Sequence, residues 1–116
     1  MSITRKGKTV DKEYQKAIRL LEEFRKIDPI MPIQTAVVFL TVASEEGINM
    51  SDLAERADIT QASCSRNVGS LASYNRHKKA GHGLLTSRED ALERRRKLVF
   101  LTDEGRIFAQ NVLKLI

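Results

Sequence analysis

Residues 51–75 predict a short helix, a tight turn and a second helix, and this succession restricts the fold more than any other feature. Ser51 is suited to cap the first helix, and Thr60 is suited to cap the second. A turn of three or four residues separates them and contains Ile59, which we expect to be buried. This spacing is typical of a helix-turn-helix.

The chain changes to an alternating apolar pattern after the second helix. Residues 83–87 (GLLTS) and 95–101 (RRKLVFL) predict two strands joined by a charged turn, and residues 48–50 predict a short extended piece before the first helix. A helix-turn-helix followed directly by a β-hairpin is a winged helix, with the wing here at residues 84–101. The expected class is therefore mainly α (α+β).

Three further helices are predicted around this motif. Residues 11–27 and 103–115 are amphipathic, whereas residues 31–45 are apolar on most sides and suit the centre of a core. The expected organisation is an N-terminal arm and amphipathic helix in residues 1–30, a winged helix-turn-helix in 31–102 and a C-terminal helix in 103–116.

The two outer helices carry apolar stripes that need a surface to pack against. In a chain of 116 residues, a second copy of the chain is a good candidate for that surface. The stripe of the first helix contains Tyr14, Ile18, Leu21 and Phe24. The stripe of the last helix contains Phe108, Val112 and Leu115.

Positive charge is concentrated at the two ends of the chain. The formal net charge is +5, but residues 31–75 carry two basic and five acidic side chains, and residues 76–116 carry ten basic and five acidic ones. Four consecutive cations occupy residues 94–97. A basic balance of this kind favours a polyanionic partner.

The second helix of the motif, predicted over residues 61–75, has two different faces. At about 100° per residue, Cys64, Val68 and Leu71 fall on one stripe, which we expect to face the core. The outward residues are mostly small, neutral and hydrogen-bonding, with one arginine, and close approach to base edges in a major groove requires such residues. The residues predicted to contact that groove are Thr60, Gln61, Ala62, Ser63, Ser65, Arg66, Asn67 and Ser70.

Arginines cluster on the predicted wing. An arginine at a hairpin tip can enter a minor groove, where the negative potential is concentrated. Nearby Glu89, Asp90 and Glu93 are suited to orient the guanidiniums and to hold the turn. The residues predicted to contact DNA from the wing and the basic connection before it are Arg76, Lys78, Lys79, Arg88, Arg94, Arg95 and Arg96.

The sequence over residues 33–106 resembles the multiple-antibiotic-resistance regulator (MarR) family of winged-helix transcription factors. Residues 90–106 (DALERRRKLVFLTDEGR) are similar to the family's wing signature, in which two acids precede an arginine pair, an alternating strand and L-T-x-x-G. Glu93 stands where the family usually has aspartate, and Arg94 and Arg95 fall on the arginine pair. Residues 53–71 are similar to the family's recognition segment.

This resemblance implies a function and an assembly. Members of the family are homodimers that bind roughly palindromic double-stranded operators, with an interface built from the first and last helices. The resemblance therefore implies a homodimer, and the residues expected at its interface are Tyr14, Ile18, Leu21, Phe24, Phe108, Val112 and Leu115. Many release DNA when a phenolic ligand or an oxidant reaches a pocket, so a small-molecule effector remains open for this chain. The expected function is a transcriptional regulator, most simply a repressor, with Arg66 at a position that is commonly basic in the family.

Other functional classes find little support in the residues. No catalytic constellation and no phosphate-binding glycine loop are present, so we expect neither enzymatic activity nor a cofactor. The spacing of His77 and His82 fits no compact metal site. Cys64 lies on the core stripe, where a cysteine is usually an inert hydrophobe rather than a redox sensor.

Localisation and two rival functions complete the predictions. The longest apolar run is far shorter than a membrane helix requires, and a single cysteine suits a reducing environment, so we expect a cytoplasmic protein without a membrane span. One rival is a replication or partition protein of a mobile element. The other is a winged-helix module that binds a partner protein. A sequence-neutral architectural protein is a third possibility.

Overall fold

The computed structural model describes residues 2–5, 8–72 and 81–116, and it confirms a mainly helical α+β fold with a small antiparallel sheet. The elements in chain order are β1 (Ser2–Arg5), β2 (Lys8–Asp11), α1 (Lys12–Ile27), α2 (Ile33–Ser44), β3 (Ile48–Asn49), α3 (Met50–Ala57), α4 (Gln61–Leu71), β4 (Leu85–Glu89), β5 (Lys97–Leu101) and α5 (Asp103–Leu113).

The chain divides into two compact units, one of Met1–Met31 with Gln110–Ile116 and the other of Pro32–Ala109. In the first unit, β1 and β2 form an antiparallel hairpin that the sequence analysis did not predict. Asp11 then caps α1, because its carboxylate accepts a hydrogen bond from the backbone N–H of Glu13 at 2.8 Å.

The second unit is built on the apolar helix α2. Val38, Phe39 and Val42 of this helix are fully buried, and the Phe39 ring meets the Phe108 ring edge to face at 5.3 Å between centroids. Helices α3 and α4 both pack against α2. The sheet has the strand order β3-β5-β4, with antiparallel pairing throughout.

The predicted cap of α3 was wrong by two residues. Ser51 lies inside the helix, and Asn49 is the cap, because its side-chain oxygen accepts a hydrogen bond from the Asp52 N–H at 2.8 Å. Asn49 also pairs with β5, so the same residue ends strand β3 and caps helix α3. The prediction that Thr60 caps α4 is confirmed by a hydrogen bond from the Ser63 N–H at 3.1 Å.

Helix α4 ends at Leu71, four residues before the predicted end. The reason is that the carbonyls of the last turn accept hydrogen bonds from a later segment of the chain. The N–H of His82 donates to the Ser70 carbonyl at 3.0 Å, and the N–H of Leu84 donates to the Leu71 carbonyl at 2.8 Å. Ala72 adopts an extended conformation and forms a parallel bridge with Leu85. The returning chain thus caps the helix C-terminus.

The wing strands begin two residues later than predicted. Gly83 has φ +71° and belongs to a turn, so β4 starts at Leu85. The register pairs Glu89 with Lys97, which places Arg88 and Glu89 in a strand rather than in the charged turn. The predicted alternation in β5 is confirmed, since Val99 is fully buried and its two neighbours along the strand are only partly covered.

Candidate nucleic-acid interface

Helix α4 has the two faces that its sequence predicts. Cys64, Val68 and Leu71 are buried against the rest of the second unit. On the other side, five of the residues predicted to contact DNA are exposed. They are the cap residue Thr60 and the helix residues Gln61, Ala62, Ser65 and Arg66. Arg66 forms no ion pair with any residue in the described ranges.

Two other predicted DNA contacts are instead used to hold α4 in place. Ser63 accepts a hydrogen bond from the side-chain amide of Gln34 at 2.5 Å. The Asn67 side-chain oxygen accepts one from the hydroxyl of Thr35 at 2.5 Å, and its amide group donates to the Ser63 carbonyl at 2.8 Å. Thr35 is 3% exposed, so this bond satisfies a buried hydroxyl.

The positioning residues Gln34 and Thr35 were missed by the sequence analysis. A signal existed, because they are adjacent polar residues at the start of a helix and are followed by five consecutive apolar residues, 36–40. Gln61 is partly engaged as well, since its side-chain amide lies 3.2 Å from the Ser51 hydroxyl. The exposed face of α4 therefore rests on a network that fixes its orientation relative to α2 and α3.

The start of the wing is tied to the C-terminus of α4. The ring Nδ1 of His82 lies 2.7 Å from the Ser70 carbonyl oxygen, which can only accept, so this nitrogen carries the proton. A Cβ at position 81 would lie 1.9 Å from the carbonyl oxygen of Ala72, so Gly81 permits this close passage. Of the predicted contacts in this region, Arg76, Lys78 and Lys79 lie outside the described residues.

The apex of the wing is an ordered turn. The N–H of Asp90 donates to the Arg96 carbonyl at 2.8 Å, and the N–H of Arg96 donates to the Glu93 carbonyl at 2.9 Å. The Asp90 carboxylate accepts from the N–H of Leu92 at 2.9 Å, and Glu93 forms an ion pair with Arg96 at 3.1 Å. Both acids thus hold the turn, as the sequence predicts for Asp90 and Glu93.

The arginines of the wing have different surroundings. The guanidinium of Arg88 lies 4.1 Å from the centroid of the Phe100 ring, a cation–π arrangement on the sheet. Arg96 is held by its ion pair with Glu93. Arg94 and Arg95 are exposed, and within the described part of the chain neither has an ion-pair partner.

The L-T-x-x-G part of the wing signature anchors the hairpin to α5. The Thr102 hydroxyl donates to the Gly83 carbonyl at 2.6 Å and accepts from the Gly105 N–H at 2.9 Å. Glu46 adds a further anchor, because its carboxylate accepts from the N–H of Leu101 at 3.0 Å and from Arg106 at 2.5 Å. Glu46 was not predicted from the sequence, because it is 55 residues from Leu101 in the chain.

Burial determines the chemistry of Cys64. The side chain is fully buried, and desolvation raises the pKa of its thiol to about 11. Its sulfur lies 3.7 Å from the sulfur of Met50. The thiolate, which is the reactive form, is thereby disfavoured, in agreement with a structural role.

We predict that this thiol reacts slowly while the protein is folded. At pH 8, raising the pKa from 9.0 to about 11 lowers the thiolate fraction about a hundredfold, and burial blocks the reagent further. Iodoacetamide labelling followed by mass spectrometry should therefore be at least about a hundredfold slower in buffer than in urea. Because the chain has one cysteine, any label reports this site; equal rates would show an accessible thiolate.

The residues predicted at a dimer interface fall into two groups. Phe24, Phe108 and Val112 are buried within the single chain, so they leave little side-chain surface for a partner. Leu115 is half-buried. By contrast, Tyr14, Ile18 and Leu21 on α1 are 72%, 46% and 50% exposed.

The described residues contain neither a metal-binding cluster nor a membrane-spanning helix. Within residues 2–5, 8–72 and 81–116, no group of three or more histidine, cysteine or acidic side chains is arranged to hold a metal ion. No helix in the same ranges has both the length and the apolar character of a membrane span.

Comparisons with known proteins identify the fold. Neither a protein-family model nor a curated protein sequence matches this chain. Among solved structures, S. aureus MepR in a complex with DNA matches with a TM-score of 0.63 and 23% identity over 89% of this chain and 74% of that chain. A MarR transcriptional regulator from Methanosarcina mazei Go1 gives a TM-score of 0.63 and 22% identity over 90% and 75%.

BpsR of Bordetella bronchiseptica, a protein whose DNA binding is regulated by 6-hydroxynicotinic acid, is similar at a TM-score of 0.60. The identity is 20%, over 89% of this chain and 74% of that chain. The likeness that the sequence suggested is thus confirmed at the level of the fold. The chain is a winged helix of the kind found in MarR transcriptional regulators.

Proposed function

We propose that this chain is a homodimeric, sequence-specific binder of double-stranded DNA that regulates transcription, most simply as a repressor. In this proposal, α4 lies in a major groove and the apex of the wing lies at the neighbouring minor groove. Each subunit binds one half of a roughly palindromic operator. The proposal includes no enzymatic step and no cofactor.

One observation carries this proposal: a small, hydrogen-bonding helix face and an arginine-rich turn belong to the same unit. The exposed face of α4 has short side chains around Arg66, so backbone and base edges can approach closely. The wing apex offers Arg94 and Arg95, whose charges no described residue neutralises. A helix that faces only water more often carries lysine and glutamate there.

Two of the similar structures support the proposed binding of double-stranded DNA. MepR was solved with DNA, and CouR, a transcriptional repressor with the same fold and 23% identity, was solved on a 23-mer duplex. Phosphate contacts from Arg76, Lys78 and Lys79 remain part of the proposal. Their charge would strengthen binding without selecting a sequence.

The experiment that tests the function is selection of fragmented source DNA by the purified protein at near-physiological salt, followed by footprinting of the recovered fragments. An inverted repeat with half-sites about one helical turn apart supports a dimeric operator reader. Direct repeats in an array favour a replication or partition protein instead. Affinity without a preferred sequence indicates an architectural protein, and absence of binding leaves a protein-interaction module.

Arg66 provides a sharper prediction about base recognition. We expect Arg66→Ala to reduce the ratio of operator affinity to random-DNA affinity by about 5- to 150-fold, or about 1–3 kcal/mol, through loss of a bidentate base contact. Arg66→Lys should keep the charge but lose the fork geometry, so it should also lose discrimination. Competition binding measures the ratio. An unchanged ratio in both variants would make Arg66 a phosphate contact.

A further inference from the structure

One apolar side chain stands at the apex of the charged wing. Leu92 is 97% exposed, the largest exposed fraction among the exposed large hydrophobic residues of the described chain. Single exposed leucines are common and need no explanation by themselves. Leu92 differs because hydrogen bonds hold its backbone in an ordered turn and because two exposed arginines, Arg94 and Arg95, follow it.

The backbone that carries Leu92 is held on both sides. Its N–H donates to the Asp90 carboxylate at 2.9 Å, and the turn is closed by the bond from the Asp90 N–H to the Arg96 carbonyl at 2.8 Å. A second bond, from the Arg96 N–H to the Glu93 carbonyl at 2.9 Å, tightens the same turn. The exposed side chain is therefore presented by an ordered apex, with less backbone entropy to lose on contact.

The acids of the apex are already engaged by the turn itself. Asp90 accepts from the Leu92 N–H, and Glu93 is paired with Arg96 at 3.1 Å. Arg94 and Arg95 keep their charges available. The apex thus combines an apolar tip with two adjacent cations, which complements a narrow groove lined by phosphates and floored by base edges.

We propose that Leu92 is an apolar wedge that enters the minor groove beside a half-site and partly unstacks one base step, bending the duplex. This inference rests on the proposed DNA-binding function and adds a residue that determines shape rather than base identity. Leucine is one of the side chains that minor-groove proteins insert between base steps. Flexible pyrimidine–purine steps cost least to open, so the wing should prefer TA or CA/TG at that position.

The test uses the full chain and duplexes that carry the recovered site, with 2-aminopurine at the step that faces the wing. Wild type should raise the 2-aminopurine fluorescence and bend the duplex by about 20° or more, as measured by FRET between its ends. Leu92→Ala should abolish both signals and lower affinity about 5- to 10-fold, while Leu92→Met should retain both. Because the side chain is exposed, folding of these variants should match wild type.

Two further variants separate the wedge from a simple charge contact. Ala91→Ser changes an exposed neighbour in the same turn and should leave binding and bending unchanged. Leu92→Lys adds a cation at the apex, and the wedge predicts weaker operator binding. Stronger binding with a steeper salt dependence would mean that the apex only meets phosphates, and would overturn the inference.

The inference and the function fail in different ways. Normal operator binding by wild type with unchanged bending and affinity in Leu92→Ala would overturn the wedge and leave the DNA-binding function intact. Absence of binding to any duplex by wild type would overturn both.

Discussion

Replacement of Gly105 by alanine is expected to destabilise the protein by about 3 kcal/mol, at the upper end of what added core volume costs. A Cβ at this position would lie 2.0 Å from the carbonyl oxygen of Leu84 and 3.0 Å from the carbonyl carbon. The same oxygen accepts the hydrogen bond from the Thr102 N–H at 3.0 Å. Helix α5 would have to move away from the chain that leads into the wing.

The expected destabilisation by Gly105→Ala is informative because it has the opposite sign to the usual effect of alanine in a helix. In an open helix, alanine in place of glycine stabilises by roughly 0.5–1 kcal/mol, because glycine loses more backbone freedom on folding. Urea unfolding followed by circular dichroism gives the free energy directly. The control is Glu104→Ala, which changes an exposed side chain in the same helical turn and for which we expect less than about 1 kcal/mol. A Gly105→Ala protein as stable as wild type would contradict the close approach.

Gly105 also shows which parts of the fold could be read from sequence. The L-T-x-x-G motif was found as a pattern, and it correctly marked the start of α5. The reason for the glycine is that it lets α5 approach the Leu84 carbonyl, and these two residues are 21 positions apart in the chain. Periodicity and capping rules are local, so they give helix and strand types but not such contacts.

The errors at element ends have the same origin. Thr60 was recognised as a cap because its bond to the Ser63 N–H is local. The bond from the Asp52 N–H to Asn49 is equally local, but the sequence offers Ser51 as a second cap, and only the pairing of Asn49 with β5, a tertiary contact, decides between them. The early end of α4 depends on His82 and Leu84, which take over the last carbonyls from a distance in sequence.

The candidate DNA-binding face was predictable as a surface, but not residue by residue. A helical projection separated Cys64, Val68 and Leu71 from the outward side chains correctly. It could not show that Ser63 and Asn67 turn towards Gln34 and Thr35. A side chain at the edge of a helix face can either point outwards or contact a neighbouring helix. The packing of that neighbouring helix decides which of the two occurs.

The second large effect is expected from breaking the proposed dimer. Ile18 and Leu21 lie one turn apart on α1 and are each about half exposed, and Tyr14 extends the same stripe. Replacing both Ile18 and Leu21 by glutamate places two carboxylates in a surface that must lose its water on association, which is costly for unpaired charges. We expect a monomer in sedimentation velocity and a loss of operator affinity greater than about 100-fold.

The large loss of operator affinity follows because a dimer binds two half-sites at once. In a dimer, binding of one helix α4 holds the second near its half-site at a high effective concentration, so the two affinities reinforce each other. A monomer binds each half-site alone, although its fold and its α4 face are unchanged. The variant Gln15→Glu with Arg19→Ala changes the charge of α1 by the same two units and leaves the apolar stripe intact. That control should remain a dimer with near-normal affinity; a dimeric Ile18→Glu, Leu21→Glu protein would place the interface elsewhere.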